Sequence, residues 1–414
     1  VTSSHHRSAT EPPVTPDWSR RIASAAALAT VRRLCGQAVR DQQWLNRQHV
    51  ALCRIPAPTF REGRRAEHLQ SVFADLGHQP RIDAAGNVVV PIVYSKRLPY
   101  LAVTAHMDTI LAPSRPEDIR VDPSGMIRGP GVTDNGTGLT ALLALAKLLG
   151  KPPVNDPVRN TLLVANVAEE GEGNLHGMRY VAEHSAFAGS IDRYLVVDGA
   201  SLGHITAAAL GSKRFELVIE GHGGHSWNDF GRANPIHAMA RAISLMTQSP
   251  LPTQPRTTLS VGVVQGGTGV NAIPCTARAK IDIRSTDELE IWKASRVVED
   301  AGRMAVLAEN QRATDRLKGY RVREIGSRPA ARALPENPVA DCFQAVDAYL
   351  GISSSLECAS TDANIPLAAG VPTVALGSGG RGGNAHAPGE WYDPQGRELG
   401  LRRLLLGIAC LQQQ

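Results

Sequence analysis

Apolar residues follow two rhythms along the chain. At 101–105, 161–168 and 194–197 the short runs LAVTA, TLLVANVA and YLVV are almost wholly apolar, the mark of strands buried on both faces of a sheet. Between them, at 22–52, 70–76 and 176–187, apolar residues recur at helical spacing and predict covering helices. Residues 139–149, LTALLALAKLL, are apolar on nearly every side, so the helix predicted there is buried on most faces. Strands alternating with helices predict a largely parallel sheet with right-handed crossovers, and ligand-binding residues of such sheets gather at the carboxyl ends of the strands.

The rhythm changes after about Ala208. Residues 213–220 alternate as a half-buried strand, 234–246 read as an amphipathic helix, 257–264 and 276–283 as strands, and 287–307 as a long helix. From about Glu336 the first style returns, with a helix to Leu350, a short strand at 354–357, a buried run at 371–376 and a final helix from about Gly396. The predicted fold is therefore α/β: a mostly parallel-sheet catalytic domain, residues 1–208 and 326–414, interrupted by a smaller α+β domain at 209–325. Residues 1–20 read as a flexible arm preceding it.

At 414 residues the chain exceeds one ordinary core, which agrees with two domains. The net charge of +5 is small for that length and no run of Lys and Arg exceeds three, so nucleic acid and anionic membranes are not expected partners. The six cysteines, at 35, 53, 275, 342, 358 and 410, form no CxxC pair and fit reduced thiols in the cytoplasm. No apolar run reaches membrane-span length. The first residues lack the basic and apolar blocks of a signal peptide, although they also fit a chain from which an export signal was removed.

Chemistry-bearing residues sit where the sheet would present them. His106 and Asp108 close the run at 101–105, and a carboxylate beside a histidine commonly fixes its tautomer in metal sites; a histidine capping a turn is the plainer alternative. Asp134 precedes the apolar helix, where it serves equally as an N-cap. Glu169 and Glu170 crown the run at 161–168, Asp198 the run at 194–197, and His386 lies in the Gly-rich loop after 371–376. Two imidazoles and four carboxylates suit zinc or a similar divalent ion, and exceed what one tetrahedral ion needs. Two metals use five of them, one carboxylate bridging, and leave one glutamate as general base.

In order and spacing the segments AHMDT, GPGVTDNGTG, AEEGEG, VVDGA and NAHAPGEW resemble the dinuclear zinc family that includes aminoacylase, carboxypeptidase G, succinyl-diaminopimelate desuccinylase and peptidase T. The resemblance runs from about Arg40 onward. It implies two divalent ions, zinc foremost, with His106 and Asp198 on one, Glu170 and His386 on the other and Asp134 between them. It makes Asp108 the residue that orients His106, Glu169 the base, and 209–325 a lid through which two subunits pair as a homodimer. His225 in GHGGHSW matches the lid histidine that reaches the reacting carbonyl, often from the partner subunit, with His222 a weaker rival. Asn271 and Arg284 match the pair that binds a substrate carboxylate, while a strand-end salt bridge is the other reading of Arg284. Trp227 stands where relatives carry a small residue and is expected to narrow the site.

Amide hydrolysis is the implied reaction. Residues 357–380 most resemble peptidase T, which points to a di- or tripeptidase of aminopeptidase type. An N-acyl amino-acid deacylase is the alternative, and a metal-free peptide-binding protein a remote one, since all six positions are filled. The loop 377–383 lacks the Lys-Ser/Thr of a phosphate cradle; its glycines are expected to let backbone amides approach a substrate carboxylate while delivering His386. No GxGxxG opens a helix after 101–105, which makes a dinucleotide enzyme a weaker reading still. His5, His6, His204 and His237 read as surface or structural residues.

Overall fold

The computed structural model describes residues 17–150 and 159–412. The predicted helical stretch at 22–52 is three helices, α1 (Trp18–Ala27), α2 (Ala29–Arg40) and α3 (Gln42–Cys53), because Leu28 takes an extended conformation and Asp41 ends the second. Residues 1–16 of the expected arm lie outside the described residues, and α1 begins inside the stretch assigned to it, with Asp17 capping the N–H of Arg20 at 3.0 Å. Then come α4 (Gly63–Asp75), β1 (Arg81–Ile82), β2 (Val88–Ile92), β3 (Tyr100–His106), α5 (Gly136–Leu148), β4 (Asn160–Asn166), α6 (His176–Glu183), β5 (Ile191–Val197) and β6 (His204–Ala209). The insert holds β7 (Gly211–Glu220), α7 (Pro235–Gln248), β8 (Thr257–Gly266), β9 (Thr276–Ser285), α8 (Glu288–Arg312) and β10 (Gly319–Arg328). The chain closes with α9 (Pro338–Leu350), β11 (Ser355–Ala359), α10 (Asn364–Ala368), β12 (Thr373–Leu376) and α11 (Arg397–Leu411).

The eight-stranded sheet has the order β1-β2-β4-β3-β5-β12-β6-β11. Its centre, β4, β3, β5 and β12, is parallel, so their carboxyl ends lie along one edge. Side chains alternate across it as the pleat requires: Leu101, Val103 and Ala105 join a core with α1 to α5, α9 and α11, whereas Ala102, Val164 and Val196 join a smaller core with α6 and α10. Both faces are covered, which is why these strands read as unbroken apolar runs. The insert has its own sheet, β8-β9-β7-β10, antiparallel throughout, and its own core around Leu217, Ala279, Ile281 and Val298.

Helix α5 shows how the sequence sets the site. Asn135, not Asp134, caps it, accepting the N–H of Gly138 at 3.0 Å. Asp134 is thereby free of the capping role that its position also allowed. Gly138 lets the helix start lie against β5, since a Cβ there would come 2.4 Å from the Val197 carbonyl oxygen.

Candidate metal centre

His106 is the last residue of β3 and pairs in register with Asn166, the last of β4, so the turn carrying Glu169 and Glu170 opens beside it. Ala168 turns the chain with φ of +53°, a costly conformation for a residue with a Cβ. Its N–H goes to the Glu62 carboxylate at 3.0 Å. The turn aims the N–H groups of Glu169 and Glu170 at the Asp108 carboxylate, at 2.9 and 3.0 Å, and Thr59 adds its hydroxyl at 2.9 Å. The nearest partner of His106 Nδ1 is the Asp108 backbone oxygen at 3.0 Å, and the carboxylate stands at 3.5 Å. Asp108 therefore steadies the glutamate pair as well as the imidazole. Burial works against its charge, yet His106 and the two N–H groups keep its carboxyl below the usual range.

Asp134 lies between the two imidazoles. Its Oδ1 is 3.0 Å from His106 Nε2 and its Oδ2 3.0 Å from His386 Nε2. Asp198 stands 3.8 Å from His106 Nε2, and Glu170 2.7 Å from His386 Nε2. His106, Asp134 and Glu170 each offer a donor atom within 4.8 Å of the others. All five expected ligands thus converge. With His106 Nδ1 donating its proton to the Asp108 oxygen, the Nε2 lone pair faces two carboxylates, an arrangement that calls for a cation between them. Where protons fill that role, the electrostatics register it. Burial disfavours a charged His106, but Asp108, Asp134 and Asp198 outweigh burial and hold its pKa well above the usual value. The hydrogen bond that His386 donates to Asp134, with the charge of Glu170, lifts its pKa to about 9 against partial burial. Burial opposes the charge of Asp134, yet the two imidazoles hold it low. The donor set therefore fits divalent ions.

Glu169 is 4% exposed and belongs to no imidazole. Burial drives its pKa well above the usual carboxyl range, opposed by Arg328, whose Nη1 lies 2.9 Å from its Oε1. A cavity of about 280 Å³ opens over this cluster, and Arg214 and Arg284 of the insert line it together with Arg328 and Ser360. Arg284 lines the cavity while its Nε donates to Asp282 at 2.7 Å, the salt bridge of the second reading. His225 and Asn271 are not brought to the cavity. They lie side by side where Gly224–His225 pairs with Ala272–Ile273, both exposed, with His225 Nδ1 accepting the N–H of Trp227 at 3.1 Å. Trp227 is 84% exposed and does not narrow the site of its own chain.

The glycines of 377–383 serve packing. A Cβ on Gly377 would lie 2.0 Å from the Ser201 oxygen and one on Gly379 2.8 Å from the Gly400 backbone. The loop still lines a second cavity of about 530 Å³ beside Asp198. Glu390, inside the NAHAPGEW segment, carries a role the sequence reading missed: its buried carboxylate accepts the N–H groups of Gly131, Thr133 and Asp134. Arg328 and Asp362 were missed too, and nothing in their sequence context marks them.

A parallel-centred sheet with an imidazole and carboxylate cluster at its strand ends, roofed by an inserted α+β unit, is the equipment of a metal-dependent hydrolase. The model of peptidase family M20/M25/M40 matches residues 102–411, and the chain belongs to that family of hydrolases. It is 29% identical over 214 residues to a probable carboxypeptidase of Aspergillus flavus, covering 46% of this chain and 47% of that protein. It is 27% identical over 259 residues to the succinyl-diaminopimelate desuccinylase of Rhodospirillum centenum, covering 57% of this chain and 66% of that one. The chain thus spans about half to two thirds of the length of these curated relatives. Among solved structures, a tripeptidase from Staphylococcus aureus superposes with a TM-score of 0.72 at 22% identity, over 90% of this chain and 99% of that one, a likeness of fold.

Proposed function

We propose that the protein hydrolyses an amide bond of a di- or tripeptide at a dinuclear zinc site. The observation that supports this most is the placing of Asp134, each oxygen 3.0 Å from a different imidazole Nε2, the disposition of a bridging carboxylate. His106 and Asp198 would hold one ion, Glu170 and His386 the other. When bound, such ions supply Lewis acidity, bringing a coordinated water to a pKa of about 7 and polarising a carbonyl.

The chain's own groups do the rest. Glu169 takes the proton of the attacking water and returns one to the leaving nitrogen, and its burial raises its proton affinity above that of an ordinary carboxylate. Arg284 and Asn271 hold a substrate carboxylate, and His225 supports the oxygen that gains charge. His225 and Asn271 stand away from the cavity of their own chain, so in this reading a second subunit supplies them, pairing through the insert in a homodimer. The edge strand β8, with Val263 and Val264 exposed beside Val270, fits such pairing. A cytoplasmic location accords with six unpaired cysteines; among the described residues no helix is long and apolar enough to cross a membrane.

The relationship to a desuccinylase favours a second reading, N-acyl amino-acid deacylation. Metal analysis of the purified protein, with a panel of dipeptides, tripeptides and N-acetyl amino acids, separates the two. Two ions per chain with turnover of peptides alone supports the first. Turnover confined to N-acyl substrates supports the second, and a chain that binds no metal and turns over none refutes both.

A further inference from the structure

A charged residue outside the ligand set is built against the base. Arg328 ends β10, the strand by which the insert returns to the main sheet, and is 5% exposed. Its Nη1 donates to Glu169 Oε1 at 2.9 Å and to Ser360 Oγ at 3.2 Å, and its Nη2 donates to the Glu169 backbone oxygen. One planar group thus grips both the side chain and the main chain of a single residue, the fixed-fork geometry that lysine lacks. From the other side Asp108 holds the N–H of the same residue. Glu169 Oε1 is occupied, while among the described residues no hydrogen bond reaches Oε2. One oxygen is fixed and the other is left to face the cavity that Glu169 lines.

The surroundings need a cation here. Asp362, 1% exposed, and Glu170 both add negative charge at Glu169, and Arg328 is the only ion-pair partner of Glu169 among the described residues. Arg328 also stays with the main sheet. Asn174 Oδ1 accepts the N–H of its neighbour Ser327 at 2.7 Å, and Arg179 donates to the Ser327 oxygen. These two hydrogen bonds hold the strand end beside the glutamate pair.

We propose that Arg328 is a positioning residue for the general base, fixing the Glu169 carboxylate by holding one oxygen and the backbone behind it. The proposal rests on reading Glu169 as the base. A displaced catalytic group of this kind costs about 100-fold in rate, and the loss falls on kcat because Arg328 acts through Glu169. The test compares Arg328→Ala, Arg328→Lys, Glu169→Gln and the double variant Arg328→Ala/Glu169→Gln, on whichever of dialanine, trialanine and N-acetylalanine the wild type turns over.

Arg328→Ala is expected to lower kcat about 100-fold with KM and metal content unchanged, and guanidinium ion to restore part of the loss. Arg328→Lys is expected to fall between it and wild type. The double variant is expected to turn over no more slowly than Glu169→Gln alone. A raised KM with unchanged kcat would make Arg328 a substrate ligand and overturn the proposal, as would an additive loss in the double variant. Should Arg328→Ala fail to fold, wild-type kcat in Arg328→Lys overturns it and an intermediate kcat at unchanged KM supports it. Near-normal turnover in Glu169→Gln sinks instead the assignment of the base.

Discussion

The Glu390 carboxylate accepts the backbone N–H of Asp134 at 2.9 Å across 256 positions of chain. The same carboxylate takes the N–H of Thr133 and of Gly131, each at 2.7 Å. The loop that delivers the central acid is therefore held by the segment that delivers His386. Outer partners of this kind tune metal affinity by about 10- to 100-fold. Glu390→Gln, which turns an amide donor towards these N–H groups, is expected to weaken metal binding by about that factor while keeping the fold. Competition with a chromophoric chelator, alongside circular dichroism, measures both.

Glu169→Gln keeps the shape of the base and removes its proton acceptor. Loss of a general base costs about 100- to 10,000-fold, so turnover is expected to fall in that range with both ions retained. Steady-state kinetics and elemental analysis on one preparation check it, and near-normal turnover reassigns the base.

In metal-free protein the His386 pKa is raised from 6.5 to about 9. A raised imidazole contributes stability that is fully present below its unfolded value and is lost as pH rises through the folded one. Melting in chelator is therefore expected to fall from pH 6.5 to pH 9 more steeply for wild type than for His386→Asn. Metal affinity moves the opposite way, since binding displaces the proton, and is expected to climb about tenfold per pH unit over the same window for one proton released. A pH-independent difference between the two melting curves would contradict the assignment.

His225 lies outside the cavity of its own chain, so under the proposed homodimer loss of the imidazole and loss of the base would fall in different subunits. His225→Ala and Glu169→Gln, each inactive alone, are expected to regain about a quarter of wild-type activity when dissociated and reassociated in equal amounts. Random pairing makes half the dimers mixed, each with one intact site, for a two-fold assembly. No recovery from mixed dimers shows that His225 acts within its own chain or not at all.

Arg284→Ala is expected to raise KM for peptides with a free carboxylate and to leave amidated peptides nearly unaffected, because only the former offer a partner for the guanidinium. Equal loss on both classes would leave Arg284 as the partner of Asp282 alone.

Residues 101–105 and 161–168 announce a buried sheet because strands covered on both faces have no polar side to show, and the acids that follow such runs stand out against them. That is why His106, Glu169 and Glu170 stand out in the sequence, whereas Asp134 and His386 follow no such run. Arg328 is not legible: among 44 Lys and Arg residues nothing local distinguishes it, and only the fold brings it to Glu169. Asp362 is hidden likewise. Only the fold buries that carboxyl against Asn166 and raises its pKa to about 7. The N-cap ambiguity at Asp134 was settled by one neighbour, Asn135, whose competing claim on the helix start is a matter of geometry rather than residue type.

The place of β12 in the sheet governs how the molecule is born. It lies between β5 and β6, strands that leave the ribosome one after the other but are not hydrogen-bonded to each other. At the usual pace of synthesis the gap from Val197 to Thr373 lasts roughly 10 to 35 s. During that interval four of the five expected ligands exist on a sheet with an unfilled slot, while the insert has all its strands and can complete its own core. His386 follows β12 in the chain and is synthesised directly after it. The sheet and the metal site are thus completed by the same late segment, and a nascent chain released before it would carry an open sheet edge and a partial set of metal donors.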